Sequence, residues 1–532
     1  MSPASLKKEP SIGTSVAMPQ QNNAGGSTTS HSSASSKGSE ELAEQKEHKD
    51  QTTASKELEG GSKPQQDKKA FVLEGKRLLG VMIALLLSML LAALDTTIFG
   101  MMIPKITEKF NALTLVGSAN MLIAGRAVAG IGGGGLNSLC YVTIGDFVPT
   151  SKTPIYYAIF EIVWIIAAVA GPLLGGVFAD KTGFDWGFYI NPCIQGVAIT
   201  LVILFMRLPR PHGSVVEKLK QIDFIGTFTV VSGVILIQLA LIWGGQEYPW
   251  KSAAVIISLV LGVILLFAFA VVEWKLAVEP IMPMRLFKSL NARLVVNSQI
   301  SFGMCFFLVL FYYPLYLAVI RNASAISSGL HLVPCIVSIS LVSCVVAVLI
   351  SRTGTYLSFA WCGLAMVATG LGLLAILGTS PANSMIIGIP IVYGVGIGLT
   401  MQPMMSCLQN SVKQKDIAMA TKLYMATRMM GSSVGLSIAQ SVLQNQMSPR
   451  LDSLVAKHPD QSAMIRDMLQ NQDVIWKADV PVGVRNSLIE AYVKSLHTVY
   501  FVFIAFAGLC FVLSLLLKNV PLRKSINDSN DG

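Results

Sequence analysis

Three ionisable side chains interrupt stretches of this chain that are otherwise apolar. Asp95 stands in Leu94-Asp95-Thr96-Thr97-Ile98, Arg126 leads into Ala127-Val128-Ala129-Gly130-Ile131-Gly132-Gly133-Gly134-Gly135, and Glu161 precedes Gly171 by about three helical turns. A charge near the centre of a bilayer costs about 2.5–3.5 kcal/mol on insertion scales, so each needs a partner or a wet cavity. Asp95 meets that need, or it lies near the outer interface and caps a helix end. Glu161 could take and release a proton, or it could form a structural hydrogen bond with Tyr157. Asp146 reads as a gating or packing contact. Arg428, close to Lys422, reads as an interface anchor with a buried stem and a solvated head.

Glycines and a proline mark a second kind of position. In a soluble helix Gly costs roughly 1 kcal/mol and Pro roughly 3. Ala170-Gly171-Pro172-Leu173-Leu174-Gly175-Gly176 nevertheless lies inside an apolar stretch. In a membrane such residues let a neighbouring backbone approach, and freed carbonyls find other partners. Gly171, Pro172, Gly175 and Gly176 are therefore expected to form a close-packed, kinkable face, on either a moving helix or a static one. The run Gly130–Gly135 is no phosphate loop, since no Gly-Lys-Ser/Thr follows and no strand precedes it. It reads as small residues packed closely around one buried cation.

The elements that carry these residues follow from composition. Of 532 residues, 52 % are hydrophobic and 13 % charged, against about 25 % charged in soluble domains. Twelve apolar runs are long enough to span: Leu78–Gly100, Met121–Phe147, Ile155–Ala179, Phe188–Met206, Phe224–Gly244, Ala253–Val272, Leu294–Ile320, Leu330–Ile350, Tyr356–Leu377, Met385–Leu408, Thr427–Leu443 and Val499–Leu517. The second and eleventh are the weakest, each carrying an arginine. Residues 1–75 are polar and nearly free of aromatics, which predicts a disordered tail. Their nine lysines and ten acids nearly cancel, so the net charge of +10 resides elsewhere and is no nucleic-acid signal. With the N-terminus placed in the cytosol, the inner loops hold sixteen Lys and Arg against five in the short outer loops, which puts both termini inside. The eight cysteines are scattered and read as small core residues, without a disulfide framework or metal site. Six dispersed histidines give no cluster for a membrane enzyme, and no cofactor is expected.

In this order the motifs resemble the major facilitator superfamily, specifically its fungal fourteen-helix drug:proton antiporter branch. Leu94–Ile98 through Ile103-Pro104-Lys105-Ile106 is similar to the branch's first-helix motif. Gly125-Arg126-Ala127 to Gly135 is similar to the fourth-helix motif, whose arginine is implicated in proton coupling, and Ala170–Gly176 to the fifth-helix antiporter motif. Trp186-Gly187-Phe188-Tyr189-Ile190-Asn191-Pro192 and Gln221-Ile222-Asp223-Phe224-Ile225-Gly226 also fit. The resemblance implies an all-α polytopic membrane protein of two helical bundles, with about twelve visible helices where the family has fourteen. It implies a tail at 1–75, an incomplete N-terminal bundle at 76–210, an inserted central pair at 211–290, a C-terminal bundle at 291–520 with a long outer loop at 444–498, and a tail at 521–532. Only about twenty residues separate Pro104 from Arg126, so the family's second helix and most of its third are missing. Loss of that antiparallel pair should expose small-residue faces and leave polar groups short of partners.

What the resemblance implies for function is proton-driven efflux of small, fairly apolar organic compounds such as a drug, toxin or secondary metabolite. Its partners would be the bilayer, the substrate and protons, at the plasma membrane or at a vacuole or vesicle. Asp95 and Arg126 would couple to the proton, with Glu161 as a further proton site. Two alternatives of another kind stay open: a non-transporting sensor, and an inactive truncated paralogue or incomplete gene model.

Overall fold

The computed structural model describes residues 75–112, 116–147, 153–178, 183, 185–206, 222–275, 280–413, 416–468, 475–476 and 480–521. The tails expected at 1–75 and 521–532 lie almost wholly outside the described residues. Every one of the twelve apolar runs is carried by helix. The helices are α1 (Gly75–Ala112), α2 (Val116–Phe147), α3 (Thr153–Val177), α4 (Trp186–Phe205), α5 (Phe224–Trp243), α6 (Ala253–Lys275), α7 (Leu290–Phe306), α8 (Leu308–Arg321), α9 (Ala325–Thr353), α10 (Leu357–Ala375), α11 (Asn383–Asn410), α12 (Ile417–Lys457), the short α13 (Ser462–Asp467) and α14 (Val482–Leu515). Among the described residues ten helical segments are long and apolar enough to cross a membrane, with α7 and α8 forming one of them. The second run passes with the lowest mean hydropathy of the ten, and the eleventh, in α12, is not among them.

Several helices outrun their apolar windows. At about 1.5 Å per residue, the 38 residues of α1 exceed a hydrocarbon layer of about 30 Å. The first run therefore does not end at Gly100; the helix continues through Pro104 to Ala112. The expected loop at 444–498 is also partly helical, because α12 extends to Lys457 and α14 begins at Val482. Trp476 in that segment donates its indole N–H to the carbonyls of Ala318 and Val319, both at 3.1 Å. It thereby satisfies acceptors that the last turn of α8 leaves open.

The two halves are packed very differently. From Leu286 to Leu517 the buried side chains form one continuous core, centred on α7, α10, α11, α12 and α14. Among the described residues the N-terminal helices share two small clusters, one around Val81, Met89, Cys140 and Phe160, the other around Ala93, Leu94, Ile98 and Ala167. Only 17 % of the apolar window of α2 is buried, and 6 % of that of α4. A Cβ added at Gly125, Gly130, Gly132, Gly133, Gly134 or Gly135 would meet nothing within 4 Å. Close packing by the glycine run, expected from the sequence, is therefore not found: no helix among the described residues stands across from it. Among the described residues, the covered positions of α2 form a stripe that includes Leu122, Arg126, Asn137, Cys140 and Ile144.

The central pair is tied to the C-terminal half. Asp223 caps α5, its Oδ1 accepting the Gly226 N–H at 2.7 Å, which explains the Asp-Phe-Ile-Gly sequence at that position. A Cβ on Gly233 would lie 3.1 Å from the Gly262 carbonyl oxygen, so α5 and α6 cross with backbones nearly touching. Asn445 of α12 then clips the α5–α6 turn. Its Nδ2 donates to the Gly244 carbonyl at 3.1 Å, and its Oδ1 accepts the Trp250 indole N–H at 3.1 Å.

Candidate functional site

Asp95 does not cap a helix end, since α1 continues to Ala112. Its carboxylate instead ties three helices together. Arg126 of α2 presents Nη1 to both oxygens, 2.9 Å from Oδ1 and 2.8 Å from Oδ2. Asn191 of α4 donates its amide N–H to Oδ1 at 2.9 Å. The ion-paired side chains keep 20 % (Asp95) and 26 % (Arg126) exposure, so solvent screens them in part. Removing one partner of a fully buried pair costs about 3–5 kcal/mol; this exposure places the present pair well below that. Protonating Asp95 would cancel the ion pair and remove one of the few contacts that hold α2.

Two residues beyond Asp95 the same helix meets the glycine motif. Thr97 Oγ1 lies 3.0 Å from the Ala93 carbonyl and 3.3 Å from the Ala167 carbonyl of α3. A Cβ on Gly171 would sit 2.0 Å from that Oγ1 and 2.5 Å from the Thr97 Cβ, so only glycine fits this crossing. Gly175 is buried, and α3 is one unbroken helix through Pro172. The surroundings of Pro172 and Gly176 lie outside the described residues, as do the side chains of Glu161 and Asp146. Tyr157 donates its hydroxyl to the Tyr141 carbonyl at 3.2 Å. Of the N-terminal helices α3 is the one that packs most closely on the C-terminal half, against α9.

In the C-terminal half the expectation for Arg428 is overturned. Because α12 starts at Ile417, Arg428 lies three turns inside it and is 7 % exposed rather than anchored at the interface. Its guanidinium lies 5.2 Å from the centre of the Phe306 ring and 6.0 Å from that of Tyr424. Its Nη2 reaches the Met425 sulfur at 3.5 Å. Desolvated cation–π contacts of this kind are worth about 2 kcal/mol, comparable to the cost of the charge. The backbone comes close here too, since a Cβ on Gly303 would strike the Arg428 carbonyl oxygen.

Sequence reasoning singled out Asp95, Arg126 and Gly171, and the structure brings all three to one region of α1, α2 and α3. It missed Asn191 and Thr97 as site residues. A polar Asn-Pro pair inside the run Phe188–Met206 was the available signal for the first. Nothing but the neighbouring Asp95 pointed to the second.

The sequence profile described as Major Facilitator Superfamily matches residues 76–436. Curated relatives include the "Efflux pump dotC" of Dothistroma septosporum, 30 % identical over 83 % of this chain and 84 % of its own. The "Acurin A biosynthesis cluster MFS-type transporter" of Aspergillus aculeatus is 31 % identical over 76 % and 74 %. The "MFS-type efflux pump LUC4" of a Fusarium species is 28 % identical over 89 % and 93 %. The dotC alignment spans 491 positions but takes up 83 % of the present 532 residues, about 442, so some 49 positions face no residue of this chain. A crystal structure of "A Bacterial Homolog to Human Lysosomal Transporter, Spinster, in Inward-facing And Unoccupied Conformation" covers 85 % of this chain and all of its own. With 11 % identity and a TM-score of 0.50, it is a likeness of fold alone. The chain is a member of the major facilitator superfamily.

Proposed function

We propose that this chain is built as a proton-coupled efflux carrier of small, fairly apolar organic compounds, lying in the plasma membrane with both termini cytoplasmic. The single observation that carries the reading is the Asp95–Arg126–Asn191 network, an acid held by two other helices beside the α1–α3 crossing. Taking up a proton at Asp95 loosens α1 from α2 and α4. The Thr97–Gly171 crossing passes that change to α3, which abuts α9. Alternating access would then follow from rocking of one half against the other. A proton moving inward yields about 2.3 kcal/mol per 100 mV and about 1.36 kcal/mol per pH unit, enough for roughly a hundredfold substrate gradient. Glu161 is the further proton site of this reading. The relatives named as efflux pumps support the direction of transport.

A second reading, of a form that does not transport, is favoured by the uncovered glycine face of α2 and the unfilled positions in the dotC alignment. Both fit the absence of a helix pair between Pro104 and Arg126. One experiment separates the readings: efflux of a lipophilic dye from cells lacking their own pumps, driven by an imposed pH gradient, with the chain as written and with Asp95→Asn. Gradient-dependent efflux that Asp95→Asn abolishes supports the carrier. No efflux from correctly localised protein refutes it for this form.

A further inference from the structure

Among the described residues, Arg428 is the cation that keeps a buried nitrogen without a hydrogen-bond partner. Arg126 is paired with Asp95, and Arg285 with Asp416 at 3.0 Å. Among the described residues no carboxylate pairs with Arg428, and its Nε is buried without a hydrogen-bond partner. A guanidinium carries five donors in a planar fork suited to a carboxylate. Here its recorded contacts are two ring faces and a thioether.

The surroundings supply the rest of a site. The membrane segment Leu290–Arg321 is broken at Phe307, between α7 and α8. The interruption is one residue long: Phe307 stays in the right-handed helical region (φ −90°, ψ −7°) and its carbonyl accepts the Phe311 N–H at 3.1 Å, so the segment is not unwound here. Phe306, the residue before the break, is the ring that Arg428 faces. Phe302, Phe306, Phe307 and Phe311 form a continuous aromatic chain across the break, with successive ring centres 4.9–6.2 Å apart. Two turns before Phe306 on the same face of α7, Gln299 is fully buried with both amide atoms unpaired.

We infer that Arg428 is the anion-recognition point of the substrate site, and that the carrier takes organic anions: an apolar or aromatic body bearing a carboxylate. The carboxylate displaces the ring faces from the guanidinium, and the body lies along the phenylalanine chain. This rests on the efflux reading for what then happens to the bound anion. The binding itself needs no gradient, so the two can fail separately.

The test is equilibrium binding of 2-naphthoate and its neutral isostere 2-naphthamide to the purified full chain at neutral pH. The wild-type chain should bind the naphthoate at least tenfold more tightly than the amide. Arg428→Gln should lose at least tenfold in naphthoate affinity with the amide unchanged. Arg428→Lys keeps the charge without the fork and should retain part of the preference, which decides the matter if Arg428→Gln does not fold. Absence of naphthoate binding, equal wild-type affinity for the two probes, or a preference that survives in Arg428→Gln would each overturn the assignment.

Discussion

Adding one methyl group should have opposite effects on two sets of glycines in neighbouring helices. At Gly132 and Gly134 of α2 a new Cβ meets nothing within 4 Å, so Gly132→Ala with Gly134→Ala introduces no clash. What remains is helix propensity, in which alanine exceeds glycine by about 0.8–1 kcal/mol per site, so the pair gains roughly 1–2 kcal/mol. At Gly171 of α3 the Cβ would lie 2.0 Å from Thr97 Oγ1 and 3.3 Å from the Ile98 backbone nitrogen. Ordinary contact requires α1 and α3 to part by an ångström or more, an overpacking cost of about 1–3 kcal/mol. At about 2–4 °C per kcal/mol, the α2 double variant should melt a few degrees higher than wild type and Gly171→Ala a few degrees lower. Thermal unfolding in detergent, followed by loss of the monodisperse peak in size exclusion, measures both. In a version carrying a helix pair of roughly fifty residues between Pro104 and Arg126, the same α2 substitutions should turn destabilising, because the face is then covered. A lowered melting temperature for the α2 variant in the chain as written would refute the uncovered face, and with it the physical basis for a missing pair.

Other perturbations follow from the same geometry. Asp95→Asn keeps the volume and the Asn191 contact but removes the ion pair to Arg126, an expected loss of about 1–2 kcal/mol for a pair this exposed; adding Arg126→Gln should restore the melting temperature. A double variant no more stable than Asp95→Asn alone would mean that the ion pair does not hold α2. Asn445→Ala removes the hydrogen bonds to Gly244 and Trp250 that clip the central pair to α12. At about 1 kcal/mol each, limited proteolysis should cut the α5–α6 turn several-fold faster; an unchanged rate would show that Gln238, hydrogen-bonded to Ser433, suffices alone.

Much of this fold was legible because apolar runs in a membrane have few alternatives to helix, and all twelve runs are helical. Asp95 and Arg126 were legible for the converse reason, since charge in such a run is expensive and has to be matched. The misreadings share one cause: sequence gives the helix face and not its neighbour. Gly130–Gly135 has the composition of a tight crossing, yet a crossing needs a second helix and none of the described residues supplies one. Arg428 lies near Lys422 in sequence, but α12 begins before the run Thr427–Leu443 and carries the arginine into the interior. Asn191 becomes a site residue only once α4 is laid against α1.

On the proposed reading, the connection from Asp95 to the C-terminal half does not depend on a helix pair between Pro104 and Arg126. Asp95 and Thr97 stand within one turn on α1, Thr97 locks onto Gly171, and α3 rests on α9; none of these contacts uses a helix between Pro104 and Arg126. What such a loss would thin is the support of α2, whose covered positions among the described residues form a stripe with Arg126 in it. In a complete bundle the ion pair could break on protonation while packing on the glycine face kept α2 seated. On the proposed reading, the interaction that breaks on protonation here is also one that ties α2 to α1. An acid that is both switch and fastener works only while the rest of the stripe, from Asn137 to Ile144, stabilises α2 by more than the ion pair contributes. On the proposed reading, the strength of that stripe decides whether α2 stays seated when Asp95 takes up a proton.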